Sequence, residues 1–365
     1  MTRSRRTPHP LCGSTTRTWL RTVARYGARQ MRWRRLLTIT ALVAAGAPFR
    51  VYEALRWNRT LAGINITAPV FIIGHWQSGH SLAQALFACD PQCATLRLRH
   101  AVQPAACLTV QPILRRILQR RLPQQRIADS LPHHLDAPQG NDLALGLLTG
   151  LSIYNAWYFP ESAADIFRNE VLMNGVPPAR LTDWQRQYRR LLQKLLFESG
   201  RPCVAVRNAG DTARIPQLLD AFPDARFVFC HRHPYEVFAA SLERCERLTH
   251  AFSLSPRTPP PDAESLTLDW YEQLLQCYLR NRRKIPAGRL IEVAYADLHQ
   301  RPAAAMQRIY EALGLPGFDE ARSGMQRLPQ EQAWELAGAR PLTERQRQAV
   351  TDRWDFAFRE WGYLA

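Results

Sequence analysis

The chain has 365 residues, 46% of them hydrophobic and 22% charged, enough for one large or two ordinary α/β domains with a sizeable core; this composition excludes a disordered chain. Its 48 Lys and Arg against 31 Asp and Glu leave a formal net charge of +17, which favours an anionic partner: a nucleic acid, an acidic membrane surface or a phosphorylated small molecule. No zinc-finger spacing or RNA-binding aromatic pattern selects nucleic acid, eight cysteines are too dilute for a disulfide scaffold, and no Cys and His set is spaced for a metal, so neither nucleic acid nor metal is expected.

The first 35 residues are rich in arginine, end in MRWRRLL, and lead into LLTITALVAAGAPF, Leu36 to Phe49. That apolar run is shorter than the roughly 20 residues that cross a bilayer as a helix. It reads as a helix lying on a membrane surface, its basic flank against anionic headgroups and Trp33 at the interface; core packing, and membrane spanning or export, are the other readings. Residues 1–68 are therefore set apart as a basic N-terminal region with an amphipathic or membrane-surface helix, before one catalytic-sized unit, 69–365.

Within that unit Val70 to Ile73 reads as a buried strand, Gly74 to Ser81 as a loop, and Ser81 to Cys89 as a helix. Cys89 and Cys93, four apart, would share a helical face as buried thiols. Leu181 to Ser199 sets Trp184, Tyr188, Leu191 or Leu192, and Leu195 along one stripe and predicts a packing helix. Two more strand–helix units follow, Cys203 to Arg207 with Ala213 to Phe222, and Arg226 to Cys230 with a helix from Tyr235. The Pro-rich stretch Leu254 to Asp262 reads as an extended loop, Leu290 to Val293 as a further strand, and WDFAFREWGY as an aromatic cluster pinning the C-terminus. Strands each followed by a helix predict an α/β fold, a central parallel β-sheet flanked by helices, with ligands beyond the carboxyl ends of the strands.

A loop between a buried strand and a helix exposes backbone N–H groups that an anion can accept. Gly74 and Gly79 relax the turn and Ser78 and Ser81 offer hydroxyls, although the loop lacks the Lys of an ATP-hydrolysing P-loop and also reads as a tight structural turn. Arg232 follows the third strand, Pro234 can start the next helix, and Ser241 lies nine residues beyond Arg232. Arg207 and Arg214 approach from the neighbouring unit. Several arginines after adjacent strands point to a doubly phosphorylated ligand, with a lone surface salt bridge as the other reading.

The blocks GHWQSGHSL, VRNAGDTARIPQLLDAFPDARFVFCHRHPYEVFAASL, RLIEVAYADL, IYEALGLP and WDFAFREWGY resemble the bacterial branch of the PAPS-dependent sulfotransferases, from about Pro69 to the C-terminus. The resemblance implies a P-loop-kinase-like sulfotransferase fold and transfer of a sulfuryl group from PAPS, leaving PAP, to a hydroxyl or amine of a small or lipid-like acceptor. It also implies a cytoplasmic enzyme, with a place for it at the inner face of the cytoplasmic membrane. Gly74, Ser78, Gly79 and Ser81 would receive the 5'-phosphosulfate and Arg232 the 3'-phosphate, and Asp142 of PQGNDLAL would be the general base. The family usually has a basic residue at Gln77, Thr at His80, Ser at Ala240 (here Ser241 is displaced by one) and His at Asp211.

Those departures bear on chemistry. One well-placed transition-state donor is worth about 3 kcal/mol. Gln77 donates through its amide without charge, so His80, or His75, is the candidate to restore charge, a diphosphate raising its protonated fraction. Asp211 either pairs with Arg207 or Arg214 or caps the next helix. His133 and His134 line an acceptor pocket or lie on a surface loop, and His231 and His233 add positive potential. Trp157, Tyr158 and Phe159 permit a lipid, a phenol or a polyketide-like hydroxyl. A diverged enzyme with another anionic donor and a non-catalytic nucleotide-binding protein are the alternatives; these residues specify neither acceptor nor oligomeric state.

Overall fold

In the computed structural model, which describes residues 8–27, 31–118, 122, 125–127, 133–255, 262–331 and 340–364, five short strands are assigned. They are β1 (Val70–Gly74), β2 (Cys93–Thr95), β3 (Cys203–Arg207), β4 (Arg226–His231) and β5 (Leu290–Ala294). These strands all pair in parallel and the order is β2-β3-β1-β4-β5, so β1 is central, with Ile72 opposite Arg207 on one side and Gly74 opposite Cys230 on the other. Alternate residues serve opposite faces. Phe71, Ile73, Val204, Phe227 and Phe229 join one buried cluster, and Val70, Ile72, Ala205, Val228 and Val293 join the other. Both faces are covered, which is why these strands read as continuous apolar runs rather than alternating ones.

The four strands expected from the pattern are present, and β2 is an addition to them. β2 follows α3 (His80–Ala88) directly, so Cys89 caps a helix end while Cys93 opens a strand opposite Cys203, and the two do not share a helical face. Asp90 makes the break: its carboxylate accepts the Gln92 N–H at 2.7 Å and the Tyr310 hydroxyl at 2.6 Å, which turns the chain out of the helix. The residues 256–261 of the Pro-rich stretch lie outside the described residues.

At the N-terminus, α1 spans Thr16–Tyr26 and α2 spans Trp33–Ala62, 30 residues rather than the 14 of the apolar run. The helix passes through Pro48, where Arg50 donates to the Val43 carbonyl at 2.7 Å. By length and composition α2 is long and apolar enough to cross a membrane. It nevertheless lies along the domain: Ile39 and Val43 enter the core, and buried Glu53 pairs with Lys194 at 2.6 Å. Trp19 and Tyr26 of α1 enter the same core, Tyr26 stacking on Phe159 at 4.1 Å, so residues before 69 share the hydrophobic cluster of those after it. The C-terminal aromatics dock as expected, Trp354 on Tyr271 at 3.8 Å and Trp361 on Phe229 at 5.4 Å.

Candidate active site

The carboxyl ends of β1 and β4 carry the two turns expected to meet an anion. Gly74 has φ 136°, and a Cβ there would lie 2.3 Å from the Cys230 carbonyl oxygen, so only glycine lets the two strand ends come this close. Thr212 clamps the turn: its hydroxyl accepts the Gly74 N–H at 2.8 Å and donates to the Gly74 carbonyl at 3.0 Å. Ser78 donates to the His75 carbonyl at 2.6 Å, so its hydroxyl shapes the loop. Gln77 has φ 71°, a left-handed conformation that costs a non-glycine residue energy. Arg207 reaches from β3 to the start of α3, donating to Ser81 Oγ at 2.5 Å and Gln84 Oε1 at 3.0 Å.

Across the sheet edge stands Arg232. Its Nε donates to Glu236, and its guanidinium carbon lies 4.3 Å from the centroid of Tyr295, the residue after β5. A Cβ on Gly79 would fall 2.7 Å from the same ring. Tyr295 thus lies against both the loop and the arginine, and a cavity of about 480 Å³ opens beside it, lined by Arg232, His233, Glu236, His299 and Tyr363. Ser241 lies about two turns into the helix Pro234–Phe252, its hydroxyl buried without a partner.

Several other buried polar atoms lack partners: His75 Nε2, His80 Nδ1, Trp157 Nε1 and the Tyr158 hydroxyl. Buried polar atoms are normally bonded, so such a group fits a ligand-binding site. Asp142 opens the helix Asp142–Thr149, and burial raises its pKa, with Arg214, the nearby Ser152 hydroxyl and Arg244 pulling the other way. Its half-buried neighbour Tyr154 is likewise raised by desolvation.

The histidines do not supply the missing charge in the free protein. Burial, reinforced by the cationic Arg207 and Arg244, holds His80 well below its usual pKa. Burial pushes His75 down to about 3, although its Nδ1–H donates to the Trp76 carbonyl at 2.8 Å. Both rings are therefore neutral near pH 7. His231 is neutral too, lowered to about 4 by burial and bonded to the Tyr363 hydroxyl at 2.7 Å, so it adds no positive potential. His133 is half-buried and His134 exposed in the loop before Pro138.

Arg214 has a different place from the one its sequence position suggests. It is 0% exposed and donates to the Glu170 and Val171 carbonyls at 2.6 and 3.1 Å, with Asp211 at 3.4 Å, leaving no surface for a ligand. Asp211 is thereby paired and also accepts the Tyr188 hydroxyl at 2.5 Å; burial still lifts it to about 7 against Arg214. The cap of that turn is Asn208, which accepts the Gly210 N–H.

Two cations escaped the sequence reading. Arg126 donates to the Pro138 carbonyl at 3.1 Å, from a loop with no periodic signal. Arg244 stands three residues after Ser241 on one helix face, its guanidinium carbon 5.9 Å from the Trp76 centroid and 5.5 Å from that of Trp157. Its spacing from Ser241 was the available signal. Among the described residues no group of three His, Cys, Asp or Glu gathers to hold a metal.

Comparison with known proteins agrees with this geometry. The sequence is 24% identical over 352 residues to the omega-hydroxy-beta-dihydromenaquinone-9 sulfotransferase Stf3 of Mycobacterium bovis, covering 94% of this chain and 89% of that protein. The crystal structure of sulfotransferase STF9 from Mycobacterium avium superimposes with a TM-score of 0.70 at 17% identity, over 95% of this chain and 96% of the other. STF1 from Mycobacterium tuberculosis H37Rv superimposes with a TM-score of 0.61 at 17% identity, over 92% and 89%. These two superpositions establish the fold. The family model described as Sulfotransferase family matches residues 69–320, more than half of the chain, and the protein belongs to that family.

Proposed function

We propose that the protein moves a sulfuryl group from PAPS to a hydroxyl of a lipid-like acceptor, using its first strand–loop–helix unit in a P-loop-kinase-like way. The observation that carries this reading is the shared edge of β1 and β4, where the Gly74–Ser81 loop and Arg232 lie on one aromatic ring, Tyr295. Loop N–H groups, Ser81 and Arg207 suit the 5' end of a nucleotide, and Arg232 and the 480 Å³ cavity beside it suit a 3'-phosphate and its sugar. PAPS, when bound, supplies an activated sulfuryl group on a good leaving phosphate.

The chain's own residues then have one proton to handle. Asp142 is buried and raised in basicity by that burial, which equips it to take the proton of an attacking hydroxyl. Trp157, Tyr158 and Trp270 are buried, and their rings suit an apolar acceptor. The Mycobacterium bovis relative is named for an omega-hydroxy-beta-dihydromenaquinone-9, which supports a lipid-like hydroxyl acceptor for this chain.

A membrane contact fits such an acceptor. Along α2 the residues Trp33, Leu37, Val51 and Leu55 are exposed over about 33 Å, Leu55 at 82%, while the one acidic residue of the helix, Glu53, is buried. Arg34, Arg56 and Arg59 flank that stripe, the pattern of a helix lying in an anionic interface. The protein would then work from the cytoplasm at the inner face of the membrane. Incubation with radiolabelled PAPS and vesicles containing a long-chain primary alcohol tests the reaction: label should move to the alcohol, and Asp142→Asn should abolish the movement while leaving PAP binding in place. Absence of label transfer to any alcohol by folded wild-type protein sinks the proposal.

A further inference from the structure

The loop Gly74–Ser81 has no Lys or Arg of its own, so fixed positive charge beside it must come from other elements. Arg207 arrives from β3 with two of its donors engaged by Ser81 and Gln84. Arg244 is a further cation, from the helix Pro234–Phe252. Its guanidinium carbon lies 5.9 Å from the ring of Trp76, a residue of the loop itself, and 5.5 Å from that of Trp157. Both rings are buried, and a weakly hydrated guanidinium held by aromatic faces keeps its charge where an ammonium would resist desolvation.

The surroundings register that charge. After the larger effect of burial, Arg244 is among the groups that hold His75 and His80 neutral and that favour ionised Asp142. Ser241, three residues earlier on the same helix face, has a buried hydroxyl without a partner, as Trp157 Nε1 does. Arg244 thus brings its charge from this helix to the loop's Trp76 and near His75, His80 and Asp142.

We propose that Arg244 is the catalytic cation of this site, binding the sulfuryl oxygens of the donor in place of a charged side chain in the loop. The inference rests on the sulfotransferase reading. In the step it assists, the bond from sulfur to the donor phosphate oxygen breaks, its electron pair staying on the departing PAP. A bond from sulfur to the acceptor oxygen forms, and the acceptor proton passes to Asp142. Charge grows on the bridging and sulfuryl oxygens along this path, and a preformed guanidinium stabilises it without reorganisation.

Three variants test it: Arg244→Gln, Arg244→Lys, and Arg244→Gln combined with Gln77→Lys, which returns a cation from the loop side. Calorimetry without acceptor should show Arg244→Gln weakening PAPS about tenfold while PAP changes by less than about twofold. Transfer to a long-chain alcohol should fall about 10²- to 10³-fold in kcat for Arg244→Gln, less for Arg244→Lys, and recover about tenfold or more in the double variant. Unchanged PAPS affinity and kcat in Arg244→Gln overturn the inference and leave the transferase reading standing. Equal weakening of PAPS and PAP with a lower melting temperature and no rescue by Gln77→Lys also overturns it, assigning Arg244 to packing. A wild-type protein that binds neither nucleotide overturns the transferase reading and the role of Arg244 together.

Discussion

Gly74 and Cys230 stand opposite each other at the carboxyl ends of β1 and β4, so close that a Cβ on residue 74 would lie 2.3 Å from the Cys230 carbonyl oxygen. That approach fixes the separation of the loop and the Arg232 turn. Gly74→Ala meets the Cys230 backbone as well as Ser78 Oγ and also inherits a φ of 136°. It should cost about 1–3 kcal/mol in strain alone and weaken PAP disproportionately, because the two turns must part. Urea denaturation and PAP calorimetry check this; a variant with native stability and native affinity contradicts it.

Arg214 is expected to matter for stability and not for the nucleotide. Its removal leaves Asp211 and two carbonyls unpaired in the core, and breaking a buried pair in this way costs about 3–5 kcal/mol. Arg214→Met should therefore lower the melting temperature strongly, while the folded fraction binds PAP like wild type. Loss of PAP affinity at an unchanged melting temperature would return Arg214 to the ligand site.

The contrast between Arg214 and Arg244 marks where sequence reading reaches its limit. Strand, glycine turn and helix are local patterns, so β1, β3, β4, their loops and Arg232 were legible, and so was the parallel sheet. β2 was not, because its three residues carry no period and its start depends on Asp90 meeting Tyr310, 220 residues away. Arg214 follows a strand closely and looked like a ligand; only tertiary packing shows its donors turned to the Glu170 and Val171 carbonyls. Arg244 sits mid-helix and acquires meaning from Trp76 and Trp157, which its own neighbourhood does not announce. The charge state of His80 likewise depends on burial and on arginines from distant segments.

His231 should leave a signature in the pH dependence of stability. Its folded pKa, about 4, lies below the unfolded value of about 6.5, so the unfolded chain binds the extra proton first. Its contribution is complete above about pH 6.5 and is lost as pH falls towards 4. His231→Gln, which can still bond the Tyr363 hydroxyl, removes that loss: relative to wild type it should gain about 1.4 kcal/mol per pH unit of acidification across this window. A difference that stays constant between pH 7 and 4 refutes the neutral, buried assignment.

The exposed stripe of α2 predicts behaviour at membranes. Leu37 and Leu55 are 60% and 82% exposed, so changing both to Glu should alter stability by no more than about 0.5 kcal/mol. Flotation with phosphatidylglycerol vesicles should carry wild type upward and leave the double variant behind. Equal flotation of both proteins, or wild-type self-association with no flotation, contradicts a membrane role for this face.

Titration of PAP into the wild-type protein and into Arg232→Ala, followed by calorimetry, reaches the central claim most directly. Wild type should bind one PAP saturably, and the variant should lose about 1.5–3 kcal/mol, or about 10- to 150-fold in affinity, while remaining folded. A flat titration of folded wild-type protein, or equal affinity in the two, would contradict a nucleotide site formed at the joined ends of β1 and β4.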